Sequence, residues 1–138
     1  MSEEVYIPTP PFEPNKEHVV RSIKIDDGAL YFYKCTPVRV IDGDSVVLDI
    51  DLGLRTWVRH SVRLNDIDAP ERRGEDKEMG QRSTEFLRWL LSGPHEFICH
   101  TIKTGKYGRY LVDLFVDFNC VNDIMVNEGY AKIYGQDV

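Results

Sequence analysis

The sequence predicts a mostly β protein of the α+β class, in which short antiparallel strands close into a five-stranded barrel with helices packed on it. Three observations predict this fold. Short segments rich in β-branched and aromatic residues recur along the chain and are separated by turns that contain glycine. One central segment has helical rather than strand periodicity. Closing several short strands into a barrel also removes the edges that an open sheet would expose.

The composition is typical of one globular domain, with 138 residues of which 42% are hydrophobic and 29% are charged. We predict an extended arm over residues 1–17, whose four prolines are also compatible with disorder, and a single domain over residues 18–138. No apolar run can cross a membrane and the acidic N-terminus does not resemble a secretory signal, so we expect a cytoplasmic protein without a membrane partner. The three scattered cysteines are expected to be reduced.

Charge is distributed unevenly along the chain. The net charge of −6 argues against a protein that coats nucleic acid nonspecifically, because such binding neutralises many phosphates. Between residues 59 and 109, however, ten Lys or Arg side chains stand against eight Asp or Glu. A locally basic centre in an acidic chain favours a small phosphate site over a long binding groove.

The N-terminal half contains the strands that begin the predicted barrel. Residues 19–25 and 29–34 have strand character and flank an Asp-Asp-Gly turn, which predicts an N-terminal hairpin. Pro37 interrupts the next strand and indicates an edge position or a bulge. In the strand over residues 55–65, we expect Arg63 either to point away from the aliphatic face or to lie near a bulge.

The C-terminal half adds a helix, whose apolar side chains recur at helical spacing and which Gly93 and Pro94 end. The predicted elements after the N-terminal hairpin are strands 45–51 and 55–65, helix 78–91, strands 96–102 and 110–116, helix 121–128 and strand 130–134. A helix inserted after the third barrel strand, among antiparallel strands, predicts an OB-like barrel.

Two carboxylates lie at turns between strands and are candidate metal ligands. Asp44 follows an Asp-Gly turn and Asp68 precedes Ala-Pro, and hard oxygen ligands select Ca²⁺ or Mg²⁺. The alternative is that both residues serve turn geometry alone. Residues 42–53 do not have the ligand spacing of an EF-hand. Cys99 and His100 are adjacent in a predicted strand and face opposite ways, which argues against a zinc site.

Arginines and a glutamate complete the candidate site. Arg63 and Arg109 come from different segments, as a clamp on one phosphate requires, and guanidinium binds phosphate in a bidentate manner. Glu71 lies three residues after Asp68, where a carboxylate beside a metal can deprotonate or orient a water. The alternatives are that the arginines are surface ion-pair partners and that Glu71 faces solvent.

In combination, VIDGDSV, RLNDIDAPE, the helix from Gly80 and KYGR resemble the staphylococcal nuclease-like (thermonuclease) family over residues 36–134. The resemblance implies an OB-fold barrel and a calcium-dependent endonuclease that hydrolyses phosphodiester bonds of DNA, RNA or both and leaves 3′-phosphates. It implies the following roles: Asp44, Asp68 and the carbonyl of Ala69 bind Ca²⁺, Arg63 and Arg109 bind the scissile phosphate, Glu71 acts on the attacking water, and Lys106 and Tyr107 contact the nucleotide. Tyr134, or alternatively Tyr130, is expected to substitute for the tyrosines that flank the nucleotide in the family.

The family pattern does not account for residues 1–34. We expect the N-terminal hairpin to cover barrel surface, so that removing residues 1–17 leaves the melting temperature unchanged while removing residues 1–34 lowers it. The expected substrate is single-stranded or locally opened nucleic acid in an intracellular setting, such as phage or plasmid DNA metabolism. The sequence predicts no particular oligomeric state. The alternative function is a non-catalytic OB-fold module that binds nucleic acid or a protein partner.

Overall fold

The computed structural model describes residues 6–23, 30–105 and 108–135. Its elements in chain order are β1 (Phe32–Asp42), β2 (Ser45–Asp51), β3 (Trp57–Leu64), β4 (Ile67–Asp68), α1 (Lys77–Leu90), β5 (Phe97–Thr104), β6 (Tyr110–Val116), β7 (Asn119–Cys120), α2 (Val121–Asn127) and β8 (Lys132–Ile133). The predicted barrel strands from β2 onward and both predicted helices are therefore present, which confirms the α+β class.

Five strands close into the predicted barrel. They pair in the order β3, β2, β1, β5 and β6, all antiparallel, and a parallel pairing of β3 with β6 closes the ring. The closing pairs run from Val62 opposite Tyr110 to Leu64 opposite Val112. β4 pairs with β8 in a separate small sheet. The C-terminal end of β3, which carries Arg63, therefore lies beside the start of β6, directly after Arg109.

The core forms from the inward faces of the strands and one face of each helix. Val62, Leu64 and Leu114 are fully buried in the barrel, and Leu87 of α1 and Met125 of α2 are buried against it. Cys35, Cys99 and Cys120 are free thiols, and all three are buried. None of the helices in the described ranges has the length and apolar character needed to cross a bilayer.

Two predicted local features of the strands are present. The register of β1 against β2 shifts between Pro37 and Arg39, so that the proline occupies a bulge. On β3, Val62 and Leu64 are buried while Arg63 between them is half-buried on the opposite face. The strand alternation therefore delivers Arg63 to the outer surface of the barrel, at the edge of the site described below.

The described N-terminal residues, 6–23, form a strap, by which name we refer to this segment below. The strap lies against the end of α2. The backbone N–H of Phe12 donates to the carbonyl of Gly129 at 2.9 Å, and the Tyr130 hydroxyl donates to the carbonyl of Pro8. Tyr130 is buried and stacks on Phe86 at 3.8 Å between ring centroids. The strap is thereby linked to the aromatic part of the core.

The two arms of the predicted N-terminal hairpin pair with other strands in the described residues. Ser22 forms a bridge with Asn119, and the first residues of β1, Phe32–Lys34, pair with β5. Residues 26–28, the predicted turn, lie outside the described residues. The first arm thus pairs with β7 and the second with β5, instead of with each other in the described residues. Strands that are distant in the sequence supply these partners, so a local turn signal does not predict them.

Candidate nuclease site

Asp44 is the buried anchor of the site. It lies in the turn between β1 and β2 and is only 8% exposed. One carboxylate oxygen, Oδ2, accepts a hydrogen bond from the backbone N–H of Ala69 at 3.0 Å, and the other accepts from the Ser45 hydroxyl at 3.2 Å. A Cβ at Gly43 would lie 2.7 Å from Ser83 Cβ, so only glycine allows the turn to pack this closely on α1.

Burial raises the pKa of Asp44 above that of an ordinary aspartate. The hydrogen bond from Ala69 and the charge of Arg63 act in the opposite direction but do not fully offset the burial. The charged form of the Asp44 carboxylate is therefore poorly solvated, and a cation bound beside it would stabilise that form.

Arg63 brings the two candidate metal ligands together. Its Nη2 lies 3.5 Å from Asp44 Oδ2 and 3.5 Å from Asp68 Oδ1, and it donates to the carbonyl of Ile67 at 3.3 Å. Because both distances start at the same nitrogen atom, Asp44 Oδ2 and Asp68 Oδ1 cannot be farther apart than the sum of the two. Convergence of the two carboxylates, Asp44 from the β1–β2 turn and Asp68 from β4, is the geometry that the metal hypothesis requires.

Arg109 approaches the same point from the segment that precedes β6. Its Nη1 donates to the Ser45 hydroxyl at 3.0 Å, and this hydroxyl in turn donates to Asp44. Ser45 is buried at the start of β2. The structure therefore brings both predicted arginines to Asp44, Arg63 by direct contact with Oδ2 and Arg109 through Ser45, which donates to Oδ1.

The donor set fits a hard cation in kind but is small. Two carboxylates are the oxygen ligands that Ca²⁺ and Mg²⁺ prefer, with other positions left for carbonyl, water and phosphate oxygens. In the part of the chain that the structure describes, no three His, Cys, Asp or Glu side chains are grouped as a metal cluster. Ala69 contacts Asp44 through its backbone N–H. Asp44 and Asp68 therefore need substrate or water oxygens to complete a coordination shell.

Glu71 is positioned by its backbone. Its side chain is exposed, and its loop packs on α1 so closely that a Cβ at Gly80 would lie 2.2 Å from the Glu71 carbonyl oxygen. The next residue, Arg72, donates its backbone N–H to Asp42 Oδ1 at 3.0 Å. The packing of the Glu71 carbonyl on Gly80 and the hydrogen bond from Arg72 to Asp42 therefore fix the backbone from which the Glu71 side chain projects.

A cavity of about 450 Å³ opens beside the arginines, within the range of small-ligand sites. We call it the nucleotide-sized cavity. It lies between the end of β3, the loop before β6 and Tyr134, whose ring is 5.3 Å from the Arg63 guanidinium carbon. Its lining residues are Arg63, Leu64, Asn65, Asp66, Ile67, Lys103, Thr104, Gly105, Arg109, Leu111 and Tyr134. Three cations against one carboxylate favour an anionic ligand.

The family follows from comparison with known sequences. The sequence model of the family described as "Staphylococcal nuclease homologue" matches residues 61–137, more than half of the chain. The chain belongs to the staphylococcal nuclease homologue family. The match includes Arg63 and Arg109 and begins after Asp44. The family assignment agrees with the resemblance found in the sequence motifs.

A curated relative was also found. "Protein ParB" of Escherichia coli is 34% identical over 106 residues, which cover 70% of this chain and 55% of ParB. The chain therefore spans about half the length of this relative.

In this member of the family, the site predicted from the sequence is brought together only in part. Asp44, Arg63, Asp68 and Arg109 converge, and Tyr134 joins them across the cavity. Lys106 and Tyr107 lie outside the described residues.

Sequence reasoning missed several polar residues that shape the site: Ser45, Asn65, Asp66, Lys103 and Thr104. Ser45 offered one signal, since it directly follows Asp44 at the start of a buried strand. The other four residues come from two separate segments, 65–66 and 103–104. These segments lie close together because β3 pairs in parallel with β6, and no local sequence pattern predicts that pairing.

Proposed function

We propose that the chain is a calcium-dependent nuclease that hydrolyses phosphodiester bonds in single-stranded or locally opened DNA or RNA. One observation supports this most strongly: Arg63 contacts both Asp44 and Asp68 at the edge of a nucleotide-sized cavity that Arg109 also lines. Paired carboxylates, two guanidinium groups and room for a nucleotide are the parts that phosphodiester hydrolysis requires.

Asp44 and Asp68, with the carbonyl of Ala69, would hold the cation. When bound there, Ca²⁺ would supply positive charge to a phosphate oxygen and acidify a water. Burial raises the pKa of Asp44 because it removes water from around the charged carboxylate. A cation bound at this carboxylate would offset that loss of solvation.

The arginines would bind the phosphate and Glu71 would act on the water. Arg63 and Arg109 present guanidinium groups that favour the charge that develops on the phosphoryl oxygens in the transition state. Glu71 would accept a proton from the attacking water or orient it. Attack on phosphorus would expel the 5′-oxygen of the next nucleotide, and the upstream product would keep a 3′-phosphate.

Tyr134 and the cations of the cavity would bind the nucleotide itself. An exposed tyrosine beside the cavity supplies a surface on which a base can stack, and Lys103 adds a charge for the backbone. We assign the same kind of contact to Lys106 and Tyr107. The three free buried thiols fit a reducing compartment such as the cytoplasm.

The test is digestion of labelled single-stranded DNA and RNA with Ca²⁺ and with chelator. We expect cleavage only with Ca²⁺, and product 3′ ends that a phosphatase must treat before a polymerase can extend them. Glu71→Gln should lower the rate about 100-fold, whereas Glu75→Gln, an exposed glutamate in the same loop, should not. Equal rates in chelator, or an unchanged Glu71→Gln variant, would contradict the proposal.

The second candidate function is a binding module without catalysis. It is favoured by the direct contact of Arg63 with both carboxylates and by the lack of a three-residue metal cluster among the described residues. Single-strand binding that is equal with and without Ca²⁺, together with intact substrate after long incubation, would identify this function instead.

A further inference from the structure

We infer that Asp66 and Asn65 form a base-recognition subsite that favours guanine in the nucleotide bound beside the arginines. The inference rests on the proposed nuclease function and concerns which base that site accepts. Phosphate contacts carry no information about the base, so any preference must come from the other polar groups that line the nucleotide-sized cavity.

The placement of the two residues supports this role. Asn65 and Asp66 lie in the turn between β3 and β4, two and three positions after Arg63. Both line the nucleotide-sized cavity together with Arg63 and Arg109, and both also line an adjoining cavity of about 280 Å³. A base whose phosphate is bound by the arginines would therefore have these side chains beside it.

The backbone of this turn is fixed, which prepares the side chains for a ligand. The N–H of Asn65 donates to the carbonyl of Val112 at 2.9 Å, and its carbonyl accepts from the amide of Asn122 at 3.1 Å. Asp66 has a φ of 65°, and its carbonyl accepts from the N–H of Tyr134 at 2.9 Å. Aspartate adopts left-handed backbone more readily than most non-glycine residues, so this turn holds the Asp66 side chain in a fixed place.

The Asp66 carboxylate is exposed and makes no hydrogen bond or ion pair with another residue of the described ranges. It can only accept hydrogen bonds, through two oxygens side by side. Guanine alone presents two adjacent donors, N1–H and the exocyclic amine, on its pairing edge. Adenine and cytosine place an acceptor next to their donor, and thymine and uracil flank a single donor with acceptors. The amide of Asn65 can donate to the neighbouring O6 of guanine.

The test measures binding of dGMP, dIMP and dTMP to the full chain by calorimetry in chelator, so that no turnover is needed. Inosine differs from guanine only in lacking the exocyclic amine. We expect dGMP to bind about tenfold more tightly than dIMP, because one hydrogen bond to a charged acceptor is lost. Asp66→Asn should remove this preference, and asparagine tolerates the left-handed φ. Glu85→Gln, on the exposed face of α1, is the matched control and should keep it.

Equal binding of dGMP and dIMP, or no measurable binding of any of the three, would overturn the inference even if the chain cleaves DNA. A guanine preference without cleavage would support the subsite and reject the nuclease function. The two proposals therefore fail separately. The melting temperature of Asp66→Asn checks that a lost preference does not reflect a lost fold.

Discussion

Arg63 Nη2 lies 3.5 Å from Asp44 Oδ2, a contact that joins a side chain on the outer face of β3 to a carboxylate buried in the β1–β2 turn. The same nitrogen lies 3.5 Å from Asp68 Oδ1, so one guanidinium serves two carboxylates. Burial still raises the pKa of Asp44 despite this contact. The folded chain thus carries an incompletely compensated charge at this point, which lowers stability and would be offset by a bound cation.

This imbalance predicts that Asp44→Asn stabilises the chain in the absence of metal. A carboxyl whose pKa is raised on folding binds its proton more tightly in the folded state, so it lowers stability once the pH exceeds its unfolded pKa. We expect the melting temperature of Asp44→Asn in chelator to exceed that of the wild type by a few degrees at pH 7. The difference should vanish below a pH of about 3.9, the ordinary pKa of aspartate.

Asparagine keeps one oxygen to accept from the Ala69 N–H, and its amide nitrogen can donate to the Ser45 hydroxyl, which donates to Asp44 in the wild type. The substitution therefore removes the charge while both contacts keep a hydrogen bond. Glu85→Gln, at an exposed position of α1, serves as the control for charge removal. A lower melting temperature for Asp44→Asn at pH 7 would show that the carboxylate is fully compensated by Arg63. Under the proposed function the variant should also lose its response to Ca²⁺.

Arg109→Ala should reduce cleavage about 100-fold with little change in the melting temperature. Its guanidinium lines the nucleotide-sized cavity and donates to Ser45, which keeps a second hydrogen bond with Asp44 after truncation. Arg59→Ala is the matched control, because Arg59 is exposed on β3 and paired with Asp49 at 2.7 Å. Steady-state rates on single-stranded DNA and thermal melts separate the two effects. Similar rates for both variants would remove Arg109 from the phosphate site.

Gly80→Ala should impair cleavage by displacing Glu71. The new methyl group would lie 2.2 Å from the Glu71 carbonyl oxygen and 2.7 Å from the Arg72 nitrogen, so the loop must move away from α1. Gln81→Ala, one position later on the exposed face of the helix, adds no such contact and controls for helix composition. We expect a loss of rate for Gly80→Ala that exceeds its loss of stability, measured by melts in parallel. Wild-type turnover would show that the loop position does not govern Glu71.

Features of the fold that depend on neighbouring residues could be predicted from the sequence. The strand over Ser45–Asp51 and the outward orientation of Arg63 follow from side-chain alternation, and the structure has both. Pro37 marks a bulge because a proline cannot complete the ladder. These features depend on neighbours in the chain, so the sequence carries them plainly.

The missing parts depend on pairing between distant segments. Asn65 and Thr104 line one cavity because β3 closes on β6 in parallel, and no motif in either segment encodes that contact. The strap contacts Gly129 and Tyr130 through backbone groups, which any sequence can supply. Proline-rich composition at residues 6–17 therefore indicated an extended path but not the surface that the path follows.

The strap contacts change what we expect from an N-terminal deletion. Removing residues 1–17 would leave the buried Tyr130 hydroxyl without its acceptor at Pro8 and would remove the Phe12 hydrogen bond to Gly129. An unpaired buried hydroxyl costs roughly 1–3 kcal/mol, so we expect a lower melting temperature by several degrees rather than no change. Lys16→Ala, which removes only an exposed ion pair with Glu128, is the control and should have little effect. A melting temperature of the deletion variant equal to that of the wild type would show that the strap is dispensable and that the Tyr130 hydroxyl donates to water instead of to Pro8.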